Sequence, residues 1–230
     1  MDRQDNSLAG LVKAAQRALA AGDLEGTRAA FAQAVEVYPD QPESHNNLGA
    51  YYMGLGQFAL AETCFRQAAE LLPDNVNLRF NLGVTRMRLD QPGRALIDFA
   101  TVLAENPDDP EAHNNMAVAQ FLTGDTAGAE DSLAQALALQ PNFPNAVLNQ
   151  CDIDLARKDT ESAIQRCEAY LTQFQDVNVL RRLLVLLDTQ AREALEQAIP
   201  QAEALIQVDS SDTEIRRHLG RLLEARQALA

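Results

Sequence analysis

The 230-residue sequence contains no tryptophan, and aromatic residues make up only 5% of it. Its three cysteines, an odd number, do not suggest a disulfide framework. No stretch approaches the roughly 18 apolar residues that span a bilayer, and the polar segment from Met1 to Ser7 lacks the apolar core of a secretory signal. These absences predict a cytoplasmic protein without membrane insertion.

Basic residues are also scarce. The sequence has 19 Lys and Arg but 33 Asp and Glu, which gives a net charge of -14. Contacts to nucleic-acid phosphates require clustered Lys and Arg, and the same charge disfavours binding to an anionic membrane surface. Nucleic acids and membranes are therefore not expected partners. Alanine and leucine dominate the 47% hydrophobic content, which favours an all-α fold.

What the sequence does contain is a 34-residue repeat. Four asparagines, here called the asparagine column, follow one another at that spacing: Asn47, Asn81, Asn115 and Asn149. Prolines recur at the same spacing where each second helix is expected to end: Pro39, Pro73, Pro107 and Pro141. A period of this length is typical of an array of helix–turn–helix units, and proline cannot continue a helix.

The repeat predicts six helix pairs in a single domain over residues 1–230. The expected pairs cover residues 8–41, 42–75, 76–109, 110–143, 144–177 and 178–211, and a capping helix covers 212–228. The sixth pair is expected as helices 178–188 and 191–208, with a kink where Pro200 lies inside the second helix.

The residues at fixed positions of each unit resemble the tetratricopeptide repeat family. The second unit matches best, with the expected residues Leu48, Gly49, Tyr52, Ala61, Phe65, Ala68 and Pro73. The third unit departs from the pattern at Arg86, where the family has tyrosine. The resemblance implies a right-handed α-solenoid whose first helices line a concave groove, and a protein-binding role without catalysis, cofactor or metal.

The asparagine column is expected to face that groove. Apolar residues on the same helices would flank it: Met53, Phe80, Met87 and Phe121. The phrase His45-Asn46-Asn47 and its echo at 113–115 are similar to the repeats of O-GlcNAc transferase, in which an asparagine ladder holds extended peptides. The resemblance implies that these residues bind a peptide backbone. The alternative is that the asparagines only cap or solvate the helices, while the apolar residues pack between successive units.

Four arginines give the third unit a basic cluster: Arg79, Arg86, Arg88 and Arg94. They could bind an acidic stretch of a partner, and Arg88 is assigned to the peptide site on this basis. The alternative is a set of solvated arginines that pair with Asp90, Asp98 and neighbouring acids.

Catalytic patterns are weak in this sequence. His45 and His113 occupy equivalent positions where the family usually has an aromatic residue, so packing is the expected role. Cys151 and Cys167 lie on the two helices of one unit and are expected to touch as buried packing residues, with a redox pair as the alternative. No histidine or cysteine pair has the spacing of a metal site.

The sequence thus predicts a scaffold or adaptor that binds a peptide segment of a partner protein. Two other classes stay open. One is a structural protein that assembles with copies of itself, which would make a homo-oligomer. The other is a non-catalytic regulatory subunit of an enzyme complex, such as a transferase. The Ala/Gln/Leu-rich composition suggests a bacterial source.

Overall fold

In the computed structural model of the chain, residues 6–208 and 213–229 are described, and their regular elements are all α-helices. The chain divides into two compact units, residues 1–141 and 142–230. The helices of the first unit are α1 (Leu8–Ala20), α2 (Leu24–Val37), α3 (Pro42–Gly54), α4 (Phe58–Leu71), α5 (Val76–Arg88), α6 (Pro92–Glu105), α7 (Pro110–Leu122) and α8 (Thr126–Leu139). The helices of the second unit are α9 (Pro144–Ala156), α10 (Thr160–Leu171), α11 (Val177–Val208) and α12 (Thr213–Ala228).

The first unit is a stack of four helix pairs. Each odd-numbered helix packs against the even-numbered helix that follows it, and α2, α4 and α6 each contact the first helix of the next pair. In the second unit α9 packs against α10, and α11 contacts α9, α10 and α12. The prediction of an all-α solenoid of helix pairs with a C-terminal helix is confirmed, while one domain over 1–230 stays a prediction.

Turns between the two helices of a pair share one backbone feature. Gly22, Gly56 and Gly124 have positive φ angles of 73°, 70° and 90° at equivalent positions, a conformation that glycine adopts without steric cost. Asp90 and Lys158 occupy the same position with φ of 56° and 62°. The repeat therefore requires this conformation even where the sequence does not supply glycine.

We expect Lys158→Gly to stabilise the protein by about 0.5–1 kcal/mol, because a side chain with a Cβ is strained in the left-handed region. Thermal unfolding followed by circular dichroism would measure the shift. Lys158→Ala is the matched control, since it removes the amine but keeps the Cβ. Equal stabilities of the glycine and alanine variants would contradict the backbone explanation.

The interior of each pair is filled by a small residue on the first helix and a larger residue on the second. Gly83 lies against the ring of Phe99, so that a Cβ built on Gly83 would be 2.8 Å from Phe99 Cε1. Gly49 meets Phe65 in the same way at 3.0 Å. Phe99 is fully buried and Phe65 is 2% exposed. These contacts explain the Gly–Phe pattern at 34-residue spacing.

The sixth pair is where the prediction is wrong. Residues 177–208 form one continuous 32-residue helix, α11, instead of the expected helices 178–188 and 191–208. The position that holds Gly22 in the first pair holds Arg192 here, and Thr189 bonds through its hydroxyl to the carbonyl of Val185 inside the helix. The turn at Lys158 also lacks glycine, but there Asp159 caps the next helix by accepting from Ser162 N, and the equivalent residue here is Glu193. With neither a glycine nor a capping residue, nothing ends the helix. Pro200 lies inside α11 as expected.

The expected repeat boundaries at 211 and 212 lie outside the described residues.

Candidate peptide-binding surface and the polar pairs beneath it

The structure places three members of the asparagine column in the first unit and one in the second. Asn47, Asn81 and Asn115 lie at the sixth residue of α3, α5 and α7, and each is half-buried. Asn149 takes the same position on α9, in residues 142–230. The surface considered below is therefore the one formed by α3, α5 and α7.

The three amides of the first unit use their N–H groups differently. Asn81 Nδ2 donates to Asn46 Oδ1 at 3.2 Å, and Asn115 Nδ2 donates to the carbonyl of Glu111 at 2.8 Å. Asn47 Nδ2 is buried and has no hydrogen-bond partner among the described residues. The residue 34 positions before Asn46 is Val12, which has no amide oxygen to accept this hydrogen bond.

The carboxamide oxygens behave alike, because Oδ1 of Asn47, Asn81 and Asn115 accepts no hydrogen bond from the described part of the chain. Each oxygen can accept two hydrogen bonds. Three helices of the first unit thus carry equivalent acceptors that the fold itself does not use.

The apolar residues beside these amides take part in packing within and between successive pairs. Met53 is half-buried against Phe65 and Leu82, and its Sδ is 3.9 Å from the hydroxyl of Thr85 in the next pair. The Phe80 ring lies edge-on to Phe99, with ring centroids 5.9 Å apart. Met53 thus packs between successive pairs, the alternative that the sequence left open, whereas the contact of Phe80 with Phe99 lies within one pair.

The remaining predicted site residues lie near the ends of the first helices. Met87 is half-buried against the Ala95, Phe99 and Ala119 cluster, and Phe121 is half-buried near the end of α7. Arg88, the last residue of α5, is exposed and makes no ion pair with the described residues.

Arg86 pairs with Asp98, as the alternative for the basic cluster predicted, but it is buried and not solvated. It is 9% exposed, its Nη1 lies 2.6 Å from Asp98 Oδ2, and its Nε lies 3.2 Å from Glu62 Oε1. Glu62 also pairs with Arg94 at 3.2 Å, and Arg79 Nη1 lies 3.7 Å from Asp98 Oδ1. Arg86 thus joins α4, α5 and α6 through two carboxylates.

Asp98 is fully buried at the centre of this network. Burial raises the pKa of Asp98 above its ordinary value, while the nearby Arg86 and Arg79 guanidinium groups act in the opposite direction. The two guanidinium groups thus offset part of the cost of burying this carboxylate.

The same two positions hold a polar pair in three successive helix pairs. Arg86 with Asp98 is followed 34 residues later by Gln120 and Ser132, whose hydroxyl donates to Gln120 Oε1 at 2.8 Å. In the second unit the charges are exchanged, because Asp154 Oδ2 accepts from Arg166 Nε at 2.5 Å. The sequence had offered Asp98 as a partner of the arginine cluster, but the Gln120–Ser132 and Asp154–Arg166 pairs were not predicted, although a 12-residue separation repeated every 34 residues indicates them.

The histidines and cysteines have local structural roles. His45 Nε2 and His113 Nε2 each lie 2.8 Å from the carbonyl of the proline six residues earlier, Pro39 and Pro107, and so tie the inter-unit turn to the next helix. The contact predicted between Cys151 and Cys167 is present, with Sγ atoms 3.5 Å apart.

Cys167 occupies the position that holds Phe65 and Phe99 in earlier pairs. The hydrogen bond with Cys167 and burial raise the pKa of the Cys151 thiol, so this thiol is protonated at neutral pH and unreactive. Among residues 6–208 and 213–229, no three His, Cys, Asp or Glu side chains cluster as a metal site would require. None of the described helices is long and apolar enough to cross a membrane.

Comparison with family models identifies the repeats. Residues 42–75 and 80–147 match two models described as "Tetratricopeptide repeat". These ranges cover α3, α4, most of α5, α6 to α8 and the start of α9, and they have the helix-pair packing described above. The chain therefore contains tetratricopeptide repeats, which are typically non-catalytic modules for protein interaction.

Solved structures show the same fold at low sequence identity. A tetratricopeptide repeat protein from Parabacteroides merdae has a TM-score of 0.70 at 17% identity, over 96% of this chain and 88% of that one. MamA from Desulfovibrio magneticus has a TM-score of 0.67 at 18% identity, over 73% and 94%. YrrB, "a TPR protein with an unusual peptide-binding site", has a TM-score of 0.64 at 18% identity, over 80% and 92%. No curated protein matches the sequence.

Proposed function

We propose that the protein is a scaffold whose first unit binds an extended segment of a partner protein along α3, α5 and α7. The observation that carries this proposal is the set of three equivalent carboxamide oxygens, on Asn47, Asn81 and Asn115, that accept no hydrogen bond from the fold. An extended peptide offers backbone N–H donors at regular intervals, so successive donors can reach acceptors on successive helices.

Asn47 has a further unused group. Its buried Nδ2 has no partner, and an unsatisfied buried donor costs about 1–3 kcal/mol. A carbonyl of the bound segment, reached by a small rotation of the side chain, would recover that cost. Asn47 is therefore the member of the asparagine column that gains most from a bound peptide.

Arg88 gives the proposed site a charge preference. It is exposed at the end of α5 and has no ion-pair partner among the described residues, whereas Arg86 and Arg94 are already paired with acids. An acidic residue in the bound segment would pair with Arg88. The peptide-binding site named for YrrB supports the general idea that this repeat fold can bind a peptide.

The test is affinity capture from a lysate of the source organism with the wild type and with the Asn47/Asn81/Asn115→Ala variant, followed by mass spectrometry. We expect a partner that the variant loses, since three backbone contacts at about 1 kcal/mol each weaken binding roughly 100-fold. A variant with Asn77 and Asn145 replaced by alanine is the matched control, because both are exposed asparagines on first helices outside the column.

Circular dichroism would show that both variants fold. A partner that all three proteins retain would contradict the proposed site. For the captured partner, Arg88→Glu is expected to weaken binding more in low salt than in high salt, and equal losses at both salt concentrations would contradict the charge preference.

A further inference from the structure

The α11 helix leaves exposed two positions that are buried in α5. Leu82 of α5 is 1% exposed and packs against Ala61 and Phe65 of α4, and Gly83 is buried against Phe99 of α6. The residues 102 positions later, three repeats on, are Leu184 and Val185, which are 59% and 58% exposed. Two features accompany this exposure. The α11 helix runs straight on where a second helix would fold back over the Gly83 position, and it buries Val179 and Leu186 in place of the residues at the Leu82 and Gly83 positions.

Exposed apolar residues extend this face along α11. We call the following residues the open stripe: Val177, Leu180, Leu184 and Leu187, exposed by 68%, 46%, 59% and 39%. Their separations of three and four residues put them on one side of the helix. Ala191 and Ala194, both exposed, continue the same spacing. With these two alanines, the apolar side of the helix is about 25 Å long at 1.5 Å per residue.

The opposite side of α11 is already packed. Val179 and Leu186 are buried at 0% and 3% exposure, and Arg182 pairs with Asp152 of α9 at 2.6 Å. The open stripe is thus a second apolar side on a helix whose first side is used within residues 142–230. Contiguous exposed apolar patches of this kind mark interaction sites.

The charges beside the stripe are complementary to those of a second copy. Arg181 is exposed and makes no ion pair with the described residues. Seven residues later, on the same edge of the stripe, Asp188 pairs with Arg192 at 2.8 Å, and both side chains are about half exposed. When two such helices pack antiparallel, residues on equivalent edges meet, so that Arg181 of each copy faces Asp188 of the other.

We propose that the open stripe of α11 is a homodimer interface in which the α11 helices of two copies pack antiparallel about a two-fold axis. Leucines of the two stripes interlock at the centre, and two Arg181–Asp188 pairs flank them. A two-fold interface needs one self-complementary surface, and this stripe is apolar along its centre with opposite charges at its two ends. The proposal goes beyond peptide binding by the first unit and does not depend on it.

Sedimentation velocity of the full chain over a wide concentration range tests the proposal. We expect a dimer for the wild type and a dimer dissociation constant raised at least about 100-fold by Leu184→Glu, which places a charge at the centre of the interface. Ile97→Glu is the matched control, because Ile97 is a 67% exposed aliphatic residue on α6. It is expected to leave the dissociation constant unchanged.

Charge exchange tests the antiparallel arrangement. Arg181→Asp and Asp188→Arg are each expected to weaken the dimer about 10-fold, since each puts like charges face to face. The double variant restores opposite charges and is expected to regain most of the affinity. Circular dichroism would confirm that every variant is folded.

Three results would overturn the proposal. A wild type that stays monomeric at all concentrations excludes the homodimer and leaves the stripe to a helix of another protein. A dimer that Leu184→Glu does not weaken lies on another surface. A double charge variant as weak as the single variants excludes the antiparallel pairing.

Discussion

Replacing Arg86 with methionine is expected to lower the free energy of unfolding by about 3–5 kcal/mol, the cost of leaving a buried charge without its partner. Asp98 is fully buried and lies 2.6 Å from Arg86 Nη1. Methionine keeps most of the side-chain volume, so the loss reports the charge and not a cavity. Chemical denaturation followed by circular dichroism would measure it.

Adding Asp98→Asn to Arg86→Met tests whether the buried carboxylate causes the loss of stability. With the carboxylate gone, the Arg86→Met/Asp98→Asn variant is expected to be more stable than Arg86→Met alone, because no ionised group is left buried. Arg94→Met is the surface control, since Arg94 is about half exposed and its pair with Glu62 is worth at most about 1 kcal/mol. Equal stability of the single and double variants would contradict this account.

The stability difference between the Arg86→Met variant and the wild type is expected to depend on pH with a definite sign. Burial already raises the pKa of Asp98 in the folded protein, and removing Arg86 raises it further. A carboxyl whose pKa is higher folded than unfolded binds more protons in the folded state, so its contribution to stability falls as pH rises between the two pKa values. The Arg86→Met variant should therefore differ less from the wild type near pH 4.5 than at pH 7, and an equal difference would argue against an ionised Asp98.

The fold was predictable because the residues that mark turns and helix starts recur several times along the sequence. Glycine at 22, 56 and 124 and proline at 42 and 110 mark turns and helix starts at constant spacing. One departure, such as Asp90 in place of glycine, does not obscure the period. The helices α3 to α9 accordingly begin and end within a residue or two of the positions that the pattern predicts.

The prediction of two helices in the sixth pair was wrong because the 34-residue period was extended beyond the residues that mark its turns. No glycine or proline occurs between residues 177 and 199, so local sequence favours a continuous helix there. Leu180, Leu184 and Leu187 lie in the segment that was expected to form the first helix of this pair, and they now belong to the open stripe. A repeat period predicts which residues are apolar, but not whether a second helix returns to cover them.

The sequence predicted the positions of the candidate site residues but not the hydrogen bonds that they make. The 34-residue spacing places Asn47, Asn81 and Asn115 at equivalent points on α3, α5 and α7. It does not show which amide group is already bonded, because that depends on the residue one repeat earlier: Asn46 for Asn81 and Val12 for Asn47. The role of Arg86 was hidden for the same reason, since its partners Glu62 and Asp98 lie on two other helices.

Replacing Phe99 with alanine is expected to cost about 3–5 kcal/mol, because the ring is fully buried and its removal leaves a cavity. Thermal and chemical unfolding would both detect a loss of this size. Ile97→Ala is the matched control, since Ile97 lies on the same helix and is 67% exposed. A loss below about 1 kcal/mol for Phe99→Ala would contradict the packing described for α5 and α6.

Another helix pair of this protein shows how a larger residue on the first helix can be accommodated by a smaller residue at the position of Phe99. Where α5 and α6 have Gly83 and Phe99, α7 and α8 have Ala117 and Leu133, both at 1% exposure. The larger residue on the first helix is matched by a smaller one on the second. The first pair is an exception, because Ala15 faces Phe31, which is less deeply buried at 9%.

A double-mutant cycle follows from that comparison. Gly83→Ala is expected to destabilise the protein by about 1–3 kcal/mol, because its Cβ would lie 2.8 Å from Phe99 Cε1. Phe99→Leu is expected to destabilise it by leaving part of the ring's space empty. The double variant recreates the Ala117–Leu133 combination, so its loss should be smaller than the sum of the two single losses by about 1 kcal/mol or more. Additive losses would show that the two helices do not adjust to each other through this contact.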